Sequence, residues 1–462
     1  MQPHRKYVLL ASVVVCSLFM ASANAASYFT QSWSSPASGV QTGALDSFEN
    51  VVCFGTDITI GPNNYLYAVN ASSGFEFWQY NTSLPVNYVT HFNRSGIAFT
   101  VAGTGGAGSQ PGKSYVIARS LPPSNVTLWQ STNLNSSVKS VGAVESNITG
   151  TNDIVAGLDN GTIMRLSGYN NGSILWKRNC NGTVFTVSNL KNGSFIVGSR
   201  DINSNGHVYC FEMNGTLRWF FPPSSSPLAS RPLLKIFTDI TGDGIPEVIA
   251  VFHDGKIHVL NGASGQEVSP WPFNNPGNFS IKDLLCTQDY TGDGFPDIIT
   301  ATDNGTLMII NGENASRFRG PTPIGIFGTS LSYIQYMYFY DSGKTYLNKT
   351  LAVSASEPGP PLTYSIWGIN TTTLSIMKQY SPSALATNMF NISNSTSLYT
   401  GDLIFSASNY VYSISGSEII VPELVSNYVI VALIIMIWVL AIVGRRYLRN
   451  GQKSSNHFQK SL

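Results

Sequence analysis

Short runs in which apolar and polar residues alternate fill most of the chain between two longer apolar segments. The run KIHVLNG at residues 256–262 has this period of two, which is typical of a strand with two different faces. Residues 247–252 and 297–302 are compact, β-branched runs that predict strands buried on both faces. Asn-Gly, Ser-Gly and Asp-Gly pairs separate the runs and favour hairpin turns. The pattern therefore predicts many short strands.

A unit of about 49 residues recurs from Tyr65 to Tyr410, and a period of this size indicates a repeat architecture. Its clearest copy is LYAVNASSGFEFW at residues 66–78. A four-stranded sheet with two apolar faces is unstable alone, but radial repetition covers each sheet with its neighbour. We therefore predict an all-β fold, a β-propeller with eight blades, with seven as the alternative. Related copies lie at residues 114–129, 161–176, 206–219, 255–271, 305–316, 363–376 and 409–420.

Three copies place a tryptophan four residues after a turn glycine. The pairs are Gly74 with Trp78, Gly172 with Trp176, and Gly215 with Trp219. Glycine permits the positive φ of such a turn, and the large flat tryptophan on an outer strand can wedge between adjacent blades. The last copy has no tryptophan of its own. We predict that SYFTQSW at residues 27–33 adds the outer strand of the final blade and closes the ring.

The run AVNASSGFEFW at residues 68–78 resembles the pyrroloquinoline-quinone repeat, whose pattern is A-x-D-x-x-T-G-x-x-x-W. Asn70 stands where Asp is usual, and Ser73 where Thr is usual. The resemblance implies a propeller, commonly of eight blades. Enzymes of that family carry a central cofactor pocket with a metal, a catalytic Asp and often a disulfide between adjacent cysteines. This chain is shorter and has no adjacent cysteine pair, so we expect no quinone cofactor and no enzymatic activity.

The ends of the chain predict a secreted, membrane-anchored protein. Residues 1–25 read as a signal peptide, because Arg5 and Lys6 precede a short apolar stretch and Ala23 and Ala25 suit cleavage. Residues 424–444 carry no charge and are long enough for one transmembrane helix, about 30 Å. A buried core helix is the alternative. We assign residues 26–416 to the propeller, 417–423 to a short linker, and 445–462 to a basic tail that the positive-inside rule places in the cytosol.

Composition limits the possible partners. Charged residues make up 11% of the chain and the net charge is +1, which excludes a basic nucleic-acid-binding surface. Potential N-glycosylation sites, all of the form Asn-x-Ser/Thr, lie only between the two apolar segments and favour an ectodomain. The 18 candidate asparagines are Asn70, Asn81, Asn93, Asn125, Asn135, Asn147, Asn160, Asn171, Asn181, Asn192, Asn214, Asn278, Asn304, Asn314, Asn348, Asn370, Asn391 and Asn394.

One acidic motif occurs twice, as DITGDGIPE at residues 239–247 and DYTGDGFPD at residues 289–297. Oxygen ligands at positions 1, 3, 5 and 9, a carbonyl at position 7 and glycine at position 6 form a tight turn around a hard cation. Three carboxylates this close would repel one another without a cation. The predicted ligands are Asp239, Thr241, Asp243, the Ile245 carbonyl and Glu247 in the first loop, and Asp289, Thr291, Asp293, the Phe295 carbonyl and Asp297 in the second.

The two motifs resemble the calcium loops of FG-GAP repeats in integrin α chains, with Thr at position 3 where Asp or Asn is commoner. The resemblance implies Ca²⁺ that fastens a strand-to-strand loop. The alternative is a pair of β-turns with solvated acids. A weaker echo, without the carboxylates, lies at residues 146–157.

The other reactive residues give weaker signals. Cys180 and Cys210 lie in neighbouring repeats and form a possible disulfide, whereas Cys286 lies in an apolar run and reads as a buried free thiol. His258 falls in a strand, where an outward-facing or hydrogen-bonded role is favoured over catalysis. No histidine has the spacing of a metal ligand.

We therefore expect a single-pass type I membrane protein of the cell surface, with a non-enzymatic binding or adhesion propeller outside the cytosol. Its partner would be a protein or a glycan. Two further possibilities are a structural or assembly scaffold of a membrane or envelope complex and a carbohydrate-binding protein; a quinone-dependent dehydrogenase is the least favoured. These functions follow from the fold by analogy and not from identified partner-binding residues.

Overall fold

Each repeat of the sequence contributes to a separate antiparallel sheet. The computed structural model describes residues 27–28, 30–36, 45–57, 63–106, 113–191, 193–222, 228–277, 279–326, 328–336, 339–341, 344–346, 350–393, 401–407 and 410–415. The predicted signal peptide, linker, transmembrane helix and basic tail lie outside these residues, as do Asn192, Asn278, Asn348 and Asn394 and the side chain of Asn391. Within the described residues, no helix is long and apolar enough to cross a bilayer.

The described strands form eight four-stranded blades, so the predicted all-β propeller with eight blades is confirmed. We letter the strands a to d from the central channel outward, because neighbouring a strands contact one another around the ring. In order from a to d, the strands of blade 1 are Leu45–Phe48, Val51–Gly55, Tyr65–Asn70 and Glu76–Asn81, and those of blade 2 are Val86–Arg94, Ile97–Thr104, Val116–Ser120 and Thr127–Gln130. The strands of blade 3 are Val138–Glu145, Asn152–Leu158, Thr162–Leu166 and Ile174–Asn179, and those of blade 4 are Thr183–Asn189, Phe195–Arg200, Asn205–Phe211 and Leu217–Phe221.

The second half of the ring has the same order. The strands of blade 5 are Leu233–Ile236, Val248–Val251, Lys256–Leu260 and Phe273–Asn274, and those of blade 6 are Ile281–Gln288, Asp297–Thr302, Thr306–Ile310 and Arg317–Pro323. The strands of blade 7 are Ser330–Tyr336, Thr350–Glu357, Thr363–Asn370 and Ser375–Tyr380, and those of blade 8 are Thr387–Ser393, Gly401–Ala407, Tyr410–Ser415 and Thr30–Pro36. Four short strands lie outside this scheme: Leu228–Ala229 pairs with strand c of blade 4, Ser27–Tyr28 pairs in parallel with strand d of blade 7, and Phe339–Asp341 pairs with Lys344–Tyr346.

The antiparallel order gives the ring two loop faces. Loops that join strands a to b and c to d lie on one side, which we call face 1. Loops that join b to c, and each blade to the next, lie on the other side, face 2. The acidic motif of residues 239–247 is therefore on face 1, and the connection at residues 228–232 is on face 2.

The hydrophobic core is divided into layers between neighbouring blades. One cluster joins Trp129 of blade 2 to Val138 and Ile154 of blade 3, and another joins Ile309 of blade 6 to Leu351 of blade 7. The b strands Val248–Val251 and Asp297–Thr302 are buried at every position, as the unbroken apolar runs predict. Each blade therefore needs its neighbour to cover its faces.

The predicted tryptophan wedge is present. A Cβ on Gly215 of blade 4 would lie 2.9 Å from the Trp176 ring of blade 3, and one on Gly265 of blade 5 would lie 2.5 Å from the Trp219 ring of blade 4. Both glycines have positive φ, so they are needed for the turn as well as for the space. Trp219 Nε1 also donates a hydrogen bond to the carbonyl of Gly262, at 2.8 Å.

The ring closes through its N-terminal strand. Thr30–Pro36 pairs with Tyr410–Ser415 as strand d of blade 8, in agreement with the predicted closure. Trp33 on this strand packs over Gly74 of blade 1 and donates through Nε1 to the Ala71 carbonyl, at 2.8 Å. The contact repeats the one that Trp219 makes with blade 5. The seam is therefore built like the other blade interfaces.

The possible disulfide between Cys180 and Cys210 is not formed. Both thiols are free and buried. Cys180 packs with Val184 and Phe195 on one side of blade 4, while Cys210 packs with Ile196 and Val208 on the other side. The sheet separates the two sulfurs. Burial raises the pKa of each thiol to about 12, which disfavours the reactive thiolate. Cys286 is also free and buried, as predicted.

Candidate metal centres

The two acidic motifs occupy equivalent a–b loops on face 1 of blades 5 and 6. The first joins Leu233–Ile236 to Val248–Val251, and the second joins Ile281–Gln288 to Asp297–Thr302. The weaker echo at residues 146–157 begins in the a–b loop of blade 3. The three related sequences therefore have one topological position, which supports a shared turn geometry.

The first acid of each loop organises the turn by accepting backbone hydrogen bonds. Asp239 accepts from the N–H groups of Gly242 and Gly244, both at 2.7 Å. Asp289 accepts from Gly292 at 2.6 Å and Gly294 at 2.9 Å. These bonds hold the pKa of Asp289 below its usual value. The four glycines have positive φ, so the sequence T-G-D-G is what permits the turn.

The last acid of each loop is fully buried, with Glu247 immediately before strand b of blade 5 and Asp297 as the first residue of strand b in blade 6. Glu247 accepts from the N–H groups of Ile240 and Thr241, at 3.0 and 3.1 Å. Asp297 accepts from the corresponding groups in its own loop. Burial raises the pKa of both carboxyl groups, although these hydrogen bonds partly oppose the shift. A nearby cation would offset the cost of keeping the two groups ionised.

The middle acid of each loop is tied to a residue that sequence reasoning missed. Asn261, in the c–d turn of blade 5, donates through Nδ2 to Asp243 Oδ2 at 2.6 Å and to Thr241 Oγ1 at 3.1 Å. Its Oδ1 accepts from the backbone of Ala263 and Ser264, which fixes the orientation of the amide. Asn311 holds Asp293 and Thr291 in the same way in blade 6.

Glycines after these asparagines let the two turns meet. A Cβ on Gly262 would lie 2.1 Å from the Pro246 carbonyl oxygen, and one on Gly312 would lie 1.9 Å from that of Pro296. Both loops therefore dock on an Asn-Gly pair of their own blade. The recurring signal in the sequence is an Asn-Gly pair 18 residues after the middle acid.

The second loop is the better candidate for a metal centre. Oxygen atoms of Asp289, Asp293 and Asp297 lie within 4.8 Å of one another, as ligands of a single ion would. In the described part of the chain no such trio includes Asp239, Asp243 and Glu247. The Lys191 ammonium of blade 4 also donates to the Gly244 carbonyl in the first loop, at 2.7 Å. The two loops share a sequence pattern but differ in how far their acids converge.

The remaining predicted ligands lie beside these acids. Thr291 Oγ1 is 3.4 Å from Asp289 Oδ1 and 3.3 Å from Asp297 Oδ1. Ile245 and Phe295 are half-buried, and their N–H groups donate to Asp243 and Asp293. The donor set is composed of oxygen atoms, which suits a hard cation such as Ca²⁺. The carbonyl oxygens of Ile245 and Phe295 stay predicted ligands, because the hydrogen bonds described here involve only the N–H groups of these two residues.

Three buried or half-buried histidines are each paired with acids. His258 contacts Glu267 through Nδ1 and Asp254 through Nε2, as its predicted hydrogen-bonded role requires. His91 Nδ1 lies 2.9 Å from Asp46 Oδ2, and these residues are on the a strands of blades 2 and 1. His207 lies 3.4 Å from Asp201. The pairs connect strands or loops, and the sequence spacing of His91 and Asp46 did not reveal theirs.

The fold has been seen before, in proteins of low sequence identity. Sqt1 of Saccharomyces cerevisiae is 10% identical, with a TM-score of 0.58, and the match covers 84% of this chain and 98% of that one. The computationally designed protein Ika8 is 14% identical (TM-score 0.56, 83% and 98% covered), as is BamB from Moraxella catarrhalis (TM-score 0.52, 84% and 98% covered).

At these identities the similarity concerns the fold alone. No family model matches the chain, and no curated protein matches it. The chain is an eight-bladed β-propeller.

Proposed function

We propose that this chain is an N-glycosylated, single-pass membrane protein whose propeller lies outside the cytosol and binds a protein or glycan partner without catalysis. The observation that carries the proposal is the position of the potential glycosylation sites. Every candidate asparagine with a described side chain is exposed or half-buried. Exposed sites lie on both loop faces, for example Asn81 and Asn181 on face 2 and Asn147 and Asn214 on face 1.

The local geometry of several sites supports the same proposal. The Oδ1 atoms of Asn81, Asn160 and Asn214 accept hydrogen bonds from the backbone two residues later. These turns use the oxygen and not Nδ2, the atom to which a glycan would attach. The apolar residues 424–444 and the basic residues after them support membrane attachment.

We further propose that Ca²⁺ fastens the two acidic loops, with the second loop as the stronger site. The convergence of Asp289, Asp293 and Asp297 supports this assignment, and so does the burial of Asp297. When bound, the cation supplies charge compensation and oxygen coordination. The loop residues then hold face 1 of blades 5 and 6 in a fixed shape. Addition of excess chelator to the purified chain is expected to lower its melting temperature.

The test of the cellular placement uses the full-length chain in a eukaryotic cell. We expect the chain to remain in the membrane fraction after alkaline extraction and to lose mass on treatment with peptide N-glycosidase. Asn181→Gln should remove one glycan, whereas Asn179→Gln, an exposed neighbour outside any Asn-x-Ser/Thr motif, should remove none. A chain that is extracted at alkaline pH and whose mass does not change with the enzyme would refute the proposal.

A further inference from the structure

Two arginines converge on one aromatic ring where the channel opens on face 2. Phe185 is the bulged residue of strand a in blade 4, between Val184 and Thr186. The guanidinium carbon of Arg231 lies 4.8 Å from the centre of its ring, and that of Arg200 lies 5.5 Å away. A β-bulge redirects side chains and often marks a functional position in a sheet. The bulge thus presents a ring that holds two cations together.

The charge of Arg231 interacts with groups on other blades. Arg231 lies in the connection between blades 4 and 5, yet its electrostatic neighbours are the phenol groups of Tyr88 and Tyr333. These tyrosines belong to the a strands of blades 2 and 7, the innermost strands of their sheets. Partial desolvation between these walls lowers the pKa of Arg231. The mouth therefore holds a concentrated positive charge with aromatic walls.

Neither guanidinium is neutralised by a carboxylate of the described residues. The arginine ion pairs in that part of the chain are those of Arg165 with Asp153 and Arg218 with Glu212. Arg200 and Arg231 are both exposed. Each can therefore offer its planar pair of N–H donors to a ligand that enters the mouth.

Blade 5, on one side of this mouth, lacks potential glycosylation sites. No Asn-x-Ser/Thr motif occurs between Asn214 and Asn278, a stretch that contains all of blade 5. On the side of blade 4, the potential site Asn181 is close to Arg200, because its carbonyl accepts a hydrogen bond from Ser199 Oγ at 2.6 Å. A partner would therefore approach the mouth from the side of blade 5.

We propose that the channel mouth beside blade 5 binds a carboxylate group of an acidic polypeptide segment, held by Arg200 and Arg231. This rests on the proposed binding function and adds the chemical class of the partner. A carboxylate is planar and accepts two parallel hydrogen bonds from one guanidinium, so the pair fits a side chain of Asp or Glu or a chain terminus. Tyr88, Phe185 and Tyr333 supply flat surfaces for the adjoining residues of the partner.

The experiment measures fluorescence anisotropy of a labelled peptide of alternating Glu and Gly with the full-length chain. We expect saturable binding that weakens with added salt, and much weaker binding of the matched peptide of Gln and Gly. Arg200→Gln and Arg231→Gln should each weaken binding by about tenfold, since one charge-assisted hydrogen bond contributes about that factor. Arg231→Lys should restore only part of the loss, because it keeps the charge without the fork.

Arg94→Gln is the matched control, because Arg94 also stacks on an aromatic ring, 5.4 Å from the centre of Tyr169, but near face 1. It should leave peptide binding unchanged. Four results would each overturn the carboxylate site. The first two are equal binding of the Glu and Gln peptides and no binding of either peptide. The others are full binding of the Glu peptide by the variant that carries both Arg200→Gln and Arg231→Gln, and tighter binding of a heparin tetrasaccharide than of the Glu peptide. A chain that fails in these ways yet stays glycosylated and membrane-bound would leave the proposed cellular placement intact.

Discussion

Trp219 and Trp129 make the same contact with a turn glycine of the next blade but differ in one hydrogen bond. Trp219 packs on Gly265 and donates to the Gly262 carbonyl. Trp129 packs on Gly172, and its Nε1 has no hydrogen-bond partner among the described residues. Both side chains are buried. The pair separates the contribution of ring packing from that of the buried hydrogen bond.

We expect Trp219→Phe to destabilise the protein more than Trp129→Phe does. Only the first substitution leaves a carbonyl without its donor, which costs about 1–3 kcal/mol beyond the loss of packing. Chemical denaturation of both variants, compared with the unaltered chain, measures the difference. Equal losses in the two variants would show that the hydrogen bond contributes nothing to the interface.

His91 makes the stability of the interface between blades 1 and 2 depend on pH. Burial alone would lower the pKa of His91, but the hydrogen bond that its ring donates to Asp46 and the neighbouring Cys53 raise the pKa to about 9. A histidine whose pKa is raised in the folded state stabilises most below its unfolded value of 6.5. That stabilisation is lost as the pH rises through about 9.

His91→Asn should therefore be more destabilising at pH 6 than above about pH 9. The measurement is the free energy of unfolding of both proteins across this range. His253→Asn, at an exposed position, is the control and should show no such change. A constant difference between the unaltered chain and His91→Asn at every pH would refute the charged state of His91.

At the scale of the element, the acidic loops are parts of their blades and not separate attachments. Each a–b loop is held by the c–d turn of the same sheet, through Asn261 in blade 5 and Asn311 in blade 6. The acids converge more closely in blade 6. Cation binding in that loop would therefore tighten two turns at once.

Calcium should raise the melting temperature of the unaltered chain, and Asp293→Asn should remove most of that rise. At a calcium concentration of 100 times Kd, one site would contribute about 2.7 kcal/mol. Asp243→Asn, in the less convergent loop, should remove less of the rise. Asp303→Asn is the control, because Asp303 lies on face 2 and pairs with Lys282. Identical melting curves with calcium and with chelator would contradict both sites.

The elements could be predicted where the evidence lies within one repeat. Strand alternation, turn glycines and the spacing from Gly215 to Trp219 are local, so the blades and the wedge were visible in the sequence. Contacts between distant segments were not. Asn261 meets Asp243 only because the sheet places the c–d turn beside the a–b loop, and Phe185 meets Arg231 only across a blade boundary.

Departures from the repeat also hid part of the interface. Arg319 stands four residues after Ala315, where other blades have tryptophan after glycine. It nevertheless donates to the Thr371 carbonyl of blade 7, at 2.9 Å, much as Trp33 donates to Ala71.

The disulfide prediction failed for a related reason. Repeat spacing does not show which face of a blade a cysteine occupies, and Cys180 and Cys210 face opposite sides.

At the scale of the whole molecule, the ring depends on a strand from the other end of the described chain. Trp33, Leu45 and Phe54 share one buried cluster with Ile404 and Val411, so blade 8 and blade 1 have a common core. A closed ring has no unpaired edge blade, and loss of the seam would expose two apolar sheet faces. The channel mouth and both loop faces keep their shape only while this seam holds.

The most direct test of the closed ring is the unfolding free energy of Trp33→Ala. We predict a loss of about 3–5 kcal/mol, as for other buried tryptophans, because blade 1 loses both the ring contact at Gly74 and the hydrogen bond at Ala71. Phe75→Ala, at a position that is 67% exposed on blade 1, should change stability by only about 0.5 kcal/mol. If Trp33→Ala were as stable as the unaltered chain, the N-terminal strand would not close the propeller.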